Sequence, residues 1–219
     1  MPENISSGGG SPWEINLSPD EWYQKLRSQL AQEWGKAGNY LQTKERNSII
    51  REQIFKYLIS AVMTDDERAA YLGLPEGCRI RENAKIIAPE NFKCGKYVWI
   101  GEGAILDASG GLEVGDHTTI GSYCLVWTHA SHFANLTLSN VIGSQLILRK
   151  PTKVGNGCTI WGHSVVYSGV TIGDKTVVLP MSVVTKDIPG HCIVAGSPAK
   201  KIRDLTEEDI QKEVNALIR

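Results

Sequence analysis

From Val154 to Val184 a β-branched aliphatic residue recurs at every sixth position: Val154, Ile160, Val166, Ile172, Val178 and Val184. A spacing of six matches neither the 3.6 of a helix nor the 2 of a flat strand. It is the mark of a parallel β-helix, in which each short strand sends one residue inward before the chain rounds a corner. The same step runs upstream through Ile100, Leu106 and Leu112, slips by two residues at Gly110-Gly111, and resumes at Val114, Ile120 and Val126. β-Branched side chains suit a stacked pleated wall. Gly155 and Gly173, directly after Val154 and Ile172, are expected to supply positive φ at tight corners.

A different pattern precedes the coils. Ser18-Pro19-Asp20-Glu21 is a capping box with proline at the first helical position, and Trp22, Leu26, Leu30 and Trp34 follow as one apolar stripe, closed by Gly35 and Gly38. A second helix is expected from about Thr43 to Met63, with Ile50, Ile54, Leu58 and Val62 facing inward. Thr64 and Glu67 form another capping box that opens a short helix through Leu72. The chain therefore divides into a Gly/Ser-rich flexible N-terminus (1–12), a helical N-terminal cap (13–75), a coil domain (76–199) and a C-terminal tail (200–219). The coil strands run from Cys78 to about Ala195 and make roughly five turns. In the tail, Thr206 caps a helix from Glu207 to about Ile218. The helical cap would cover the open first coil against edge pairing. Within the coil domain the period vanishes between about Thr128 and Pro151 and returns at Val154. A long excursion from a rigid scaffold is where function tends to sit.

Composition narrows the classes. With 23 basic and 24 acidic residues the net charge is −1, so no global field steers the chain to nucleic acid or to a membrane surface. The N-terminus carries no apolar secretory region and no stretch approaches a membrane span, so a soluble cytoplasmic protein is expected. Cys78, Cys94, Cys124, Cys158 and Cys192 are odd in number and lack a CxxC pair, which reads as reduced, mostly buried thiols.

Three motifs in the last coils carry a family resemblance: GVTIG at 169–173, VVTKDIP at 183–189 and AGSPAKKIR at 195–203. They are similar to the terminal coils of hexapeptide-repeat acyltransferases, in the branch holding galactoside, maltose, nodulation-factor and virginiamycin acetyltransferases. The resemblance implies a mainly β fold, a left-handed parallel β-helix, here with a helical N-terminal region and a C-terminal helix. It further implies a homotrimer, acetyl-CoA bound as co-substrate between neighbouring prisms, and a sugar or glycan acceptor.

Acetyl transfer from a thioester to a hydroxyl needs a base for the hydroxyl proton and donors for the developing oxyanion. Imidazole suits a base working near pH 7. Two of the five histidines, His129 and His132, open the excursion in Thr128-His129-Ala130-Ser131-His132. By resemblance the catalytic histidine ends a small-residue run where the loop leaves the coil. His132 fits that placement best, and His129 is the alternative. Asp107 falls where the family binds the acceptor or orients the histidine, or else it satisfies a turn amide. Trp127 offers an apolar platform to a sugar ring or to pantetheine, or packs. For the cofactor the resemblance points to Gly162 and His163, to Met181 and Ser182, to Thr185 and Lys186 along the cleft, and to Lys200, Lys201 and Arg203 near the adenosine phosphates. The sequence departs from the family at Thr159, where a tryptophan is usual, and at Pro180-Met181, which is bulkier than the usual small pair.

The resulting expectation is an acetyl-CoA-dependent O-acetyltransferase acting on a sugar or polysaccharide precursor, without a metal. N-acetylation of an amino-sugar nucleotide and a non-catalytic β-helix scaffold are the alternatives. A zinc-dependent γ-type carbonic anhydrase on the same fold requires a His-x4-His pair that is absent here.

Overall fold

The computed structural model describes residues 60–138 and 146–218 and, before them, residues 18, 21, 24, 25, 28, 52–54 and 56–58. The chain divides into two compact units, Met1–Ile59 and Ser60–Arg219. In the first, residues 21, 24, 25 and 28 are helical, and the Ser18 amide donates to the Glu21 carboxylate at 2.7 Å in the expected capping box. The stripe from Trp22 to Trp34, with Gly35, Gly38 and Ile50, lies outside the described residues. Residues 52–54 and 56–58 are helical as well, but the inward stripe read from the sequence is not inward: Ile54 and Leu58, and Val62 beyond them, are 52%, 61% and 70% exposed.

The second unit is a parallel β-helix of about five left-handed turns, built from three walls of stacked short strands. The first wall stacks Arg79–Ile80, Trp99–Ile100, Thr119–Ile120, Thr159–Ile160, Thr176–Val178 and Cys192–Ala195. The second stacks Lys85–Ile87, Ile105–Asp107, Leu125–Val126, Val165–Val166 and Val183–Val184, and the third Phe92–Cys94, Leu112–Val114, Thr152–Val154 and Thr171–Ile172. Register places each inward residue on the next, so Leu106, Val126, Val166 and Val184 form one column and Ile100, Ile120, Ile160 and Val178 another. All six positions from Val154 to Val184 are buried, none more than 3% exposed. Each such side chain contributes about 1.5–3 kcal/mol by leaving water. The slip at Gly110-Gly111 is absorbed because Leu112 and Val114 both face inward from one three-residue strand.

The outward positions differ from wall to wall. On the third wall they are Lys93, Glu113, Lys153 and Thr171, with Lys153 paired to Glu113 at 2.9 Å. On the second they are Ile105, Leu125, Val165 and Val183, a stacked aliphatic face of intermediate exposure.

The corners correct one sequence expectation. Positive φ is carried there mostly by non-glycine residues, among them Asn83, Tyr97, His117, Tyr123, His163, Lys175, Met181 and His191, and by Gly103 and Gly157, but not by Gly155 or Gly173. Gly155 and Gly173 instead permit coils to approach: a Cβ on Gly155 would sit 2.3 Å from Asp174 Oδ1, and one on Gly173 2.4 Å from the Gly190 amide nitrogen. A polar ladder runs down the same corner. Asp116 accepts from the Lys96 amide at 2.8 Å, Asn156 from the Asp116 amide at 2.9 Å, and Asp174 from the Asn156 amide at 2.7 Å.

Both ends of the stack are covered. Helix α1 (Asp65–Tyr71), opened by the Thr64–Glu67 capping box, packs on the first strand of the first wall. At the other end, Lys200–Asp204 pairs antiparallel with Cys192–Ala195 and leads into a helix, Glu207–Leu217, whose Thr206 cap accepts from the Asp209 amide. Among the described residues no disulfide forms; Cys78, Cys124, Cys158 and Cys192 are buried, and burial pushes the half-buried Cys94 thiol up to about 12.

Candidate active site

The second wall's strand Ile105–Asp107 ends with Asp107 turned into the corner, 0% exposed. One coil on, Leu125–Val126 stacks over Ile105–Leu106 and delivers Trp127, Thr128 and His129 above the Asp107–Ser109 turn. There the chain leaves the coil. His129–Ala130 pairs antiparallel with Leu148–Arg149, so the excursion departs and returns as a two-stranded ribbon. The Lys150 amide donates to the Thr128 carbonyl at 2.8 Å where it rejoins. Gly110 makes this crossing possible, because a Cβ there would lie 2.3 Å from the Thr128 carbonyl oxygen. Helix α2 (His132–Leu136) follows the outgoing strand; residues 139–145 lie outside the described part.

Four groups converge at this corner. His129 Nδ1 lies 2.7 Å from Asp107 Oδ2 and 3.2 Å from Ser109 Oγ. Thr128 donates twice to Asp107 Oδ2, from its amide and its hydroxyl, both at 2.8 Å. The Ser109 amide donates to Asp107 Oδ1 at 3.1 Å, and the Gly110 amide to Thr128 Oγ1 at 2.8 Å. Burial alone would raise the Asp107 carboxyl, but hydrogen bonds from His129, Thr128 and Ser109 outweigh it and hold it at about 2. An ionised carboxylate only accepts, so His129 Nδ1 carries the hydrogen, and in the neutral ring the free lone pair is the one on Nε2. The His129 side chain is 31% exposed, while Asp107 is sealed beneath it.

The buried carboxylate has a measurable consequence for stability. Asp107 falls from an ordinary 3.8 to about 2 on folding, which corresponds to about 2 kcal/mol. A depressed folded value stabilises above the unfolded value, and that contribution is lost as pH falls from about 4 towards 2. Denaturant titrations of wild type and Asp107→Asn should therefore differ most at pH 5–7 and converge towards pH 2. A gap independent of pH would contradict the assigned network.

The residues expected at the site are not all brought together. His132 is exposed on α2 with its ring against Phe133 at 4.2 Å, and among the described residues its ring has no hydrogen bond. Trp127 meets His129 edge-on at 5.8 Å. Asp107 is enclosed, and its carboxylate is taken up by His129, Thr128 and the Ser109 amide. Thr185 and Lys186 follow the second wall at the same corner two coils further on. Gly162, His163 and Met181 occupy the corner at the opposite edge of that wall, with His163 stacked on Tyr123 at 5.2 Å and Met181 75% exposed. Ser182 does not face outward: it is buried, and its hydroxyl donates to the Leu179 carbonyl at 2.6 Å. Lys200, Lys201 and Arg203 lie on the exposed terminal strand, Lys201 paired with Asp204 and Arg203 with Asp209. The sequence does not single out Ser109 and Thr128, since a polar residue at a period break gives no sign that it sits against a buried carboxylate. Among the described residues no group of three His, Cys, Asp or Glu side chains is placed to hold a metal ion, and no helix is long and apolar enough to cross a membrane.

The stacked three-walled coil defines a fold class, and comparison with known proteins places the chain in a family of that fold. The family model described as bacterial transferase hexapeptide (six repeats) matches residues 151–186. The colanic acid biosynthesis acetyltransferase WcaF of Escherichia coli K12 is 31% identical over 135 residues, covering 59% of this chain and 68% of that protein. Among solved structures, the hexapeptide-repeat acetyltransferase VCA0836 of Vibrio cholerae, complexed with acetyl coenzyme A, superimposes with a TM-score of 0.52 at 24% identity, covering 78% of this chain and 96% of that one. AntD of Bacillus cereus, an N-acyltransferase complexed with dTDP and 3-hydroxybutyryl-CoA, gives 0.56 at 20% identity, covering 71% and 97%. The chain belongs to the hexapeptide-repeat acetyltransferases.

Proposed function

We propose that this chain is an acetyl-CoA-dependent O-acetyltransferase that acts on a sugar or polysaccharide precursor, with His129 as general base. The Asp107–His129 pair carries the reading. A sugar hydroxyl is a poor nucleophile until its proton is accepted, and an imidazole with Nδ1 held by a carboxylate presents Nε2 for that task. Asp107 then stabilises the imidazolium that forms, and the same nitrogen returns the proton to the leaving thiolate. Acetyl-CoA, when bound, supplies the acyl thioester. Thr128 and Ser109 hold the carboxylate in place, and Trp127 offers a ring face beside His129. The name of the colanic acid relative supports a sugar acceptor, and the acetyl-CoA complex of the Vibrio protein supports the donor.

The aliphatic outer face of the second wall, Ile105, Leu125, Val165 and Val183, supports burial against a neighbouring copy in a homotrimer. The cofactor residues assigned by resemblance that reach the surface, His163, Met181 and Lys186 exposed and Gly162 and Thr185 half-buried, lie along the two edges of that face. Lys200, Lys201 and Arg203 are the proposed phosphate contacts, and lysine suits phosphate as a point charge.

Incubating purified protein with acetyl-CoA, a thiol reagent and a panel of sugars should show thiol release that depends on the acceptor, with an O-acetyl ester in the product by mass spectrometry and NMR. An amide product would sink the O-acetyl reading. Failure to bind acetyl-CoA would leave a scaffold.

A further inference from the structure

The excursion from Thr128 to Pro151 contains no Asp or Glu, and its only Lys and Arg are Arg149 and Lys150, at its return to the coil. Register sets Arg149 directly opposite His129 in the antiparallel ribbon. Opposite residues in such a pair project from the same face with Cβ atoms about 5 Å apart, so the guanidinium shares its side of the ribbon with the imidazole. Lys150 is fixed by the hydrogen bond its amide donates to the Thr128 carbonyl, and its methylenes lie across Gly169, where a Cβ would come within 2.8 Å of Lys150 Cδ. Both residues are exposed, and among the described residues neither has an ion-pair partner. Asp107, one coil below His129, is sealed from solvent; its Oδ2 accepts from Thr128 and His129 and its Oδ1 from Ser109. It leaves the two cations without compensation at the mouth of the site.

Two uncompensated cations beside a base that must reach a hydroxyl impose a preference on what carries the hydroxyl. We infer that Arg149 and Lys150 bind an anionic group of the acceptor, so that the substrate is a sugar bearing a phosphate or a carboxylate near the acetylated hydroxyl. The inference rests on His129 being the base, which gives the acceptor its place. Arginine grips either oxyanion with two parallel N–H donors, and lysine adds a point charge.

Binding, which needs no turnover, provides the test. Glucose 1-phosphate, glucuronate and methyl α-glucoside are titrated calorimetrically into the full-length wild type and the R149Q/K150Q variant, with acetyl-CoA titrated in parallel. At least one anionic sugar should bind wild type tenfold or more tighter than the neutral glucoside, with affinity falling as salt rises. The double variant should lose that selectivity while keeping its affinity for acetyl-CoA within about twofold. The phosphate and uronate arms identify which anion is preferred. Equal binding of the three sugars, no binding of any, or selectivity that survives in R149Q/K150Q overturns the inference. So does a variant that loses acetyl-CoA instead, because the cations would then serve the donor. An inactive wild type that still selects anionic sugars would count against the transferase reading alone.

Discussion

His129→Ala is expected to lower kcat for acetyl transfer by roughly 10²- to 10⁴-fold, the usual contribution of a positioned general base. The KM for acetyl-CoA should barely change, because the imidazole acts on the hydroxyl. His132→Ala should lose about tenfold or less. The sequence ranks the two the other way, since His132 ends the Ala130-Ser131 run and falls nearest the slot expected by family resemblance. Geometry reverses the ranking: His129 Nδ1 is 2.7 Å from a buried carboxylate, whereas His132 is exposed on α2 beside Phe133. Parallel kinetics decide between them, with near-ultraviolet circular dichroism confirming that both variants fold. A dead His132→Ala with a nearly intact His129→Ala would return the base to α2. Full activity in both would remove histidine base catalysis altogether.

What the sequence discloses here is what depends on short range. The step of six survives in the fold because each inward aliphatic is placed by its own short strand, and stacking only repeats the placement. The capping boxes at Ser18–Glu21 and Thr64–Glu67 and the Thr206 cap are local as well, and each forms. The proposed active-site pair is not local. Asp107 and His129 are 22 residues apart and meet only because one coil lies on the next, with the ribbon leaving directly at His129. Placement by resemblance assumes that the excursion begins where it does in relatives, and a shift of three residues exchanges one histidine for the other. The glycines mislead for a related reason. Gly155 and Gly173 look like turn residues but answer to the atoms of the coil beside them, which no single segment reveals. Ile54, Leu58 and Val62 show the same gap, since periodicity identifies an apolar stripe without identifying what covers it.

Arg68→Ala should cost about 3–5 kcal/mol of folding stability, the largest loss expected from any single truncation outside the core columns. Arg68 is 2% exposed, and its guanidinium donates to three backbone carbonyls: Ser60 at 2.8 Å, Ile80 at 2.7 Å and Met63 at 2.5 Å. Desolvation lowers its pKa, with Glu82 and Asp65 partly restoring it. A buried ion pair is often replaced by apolar side chains at little cost, because both partners change together. That route is closed here: the acceptors are main-chain carbonyls, which no side-chain substitution removes, so Arg68→Met should be nearly as damaging as Arg68→Ala despite filling the space. Arg68→Lys, with fewer donors and no planar fork, should fall between. The three bonds tie the turn at 60–63 and α1 to Arg79–Ile80, the outermost strand of the first wall, so their loss should also free an edge for intermolecular pairing. Denaturant midpoints for the three variants, with light scattering at each step, measure both effects. An Arg68→Met protein as stable and monodisperse as wild type would show that the turn and helix hold that edge without the guanidinium.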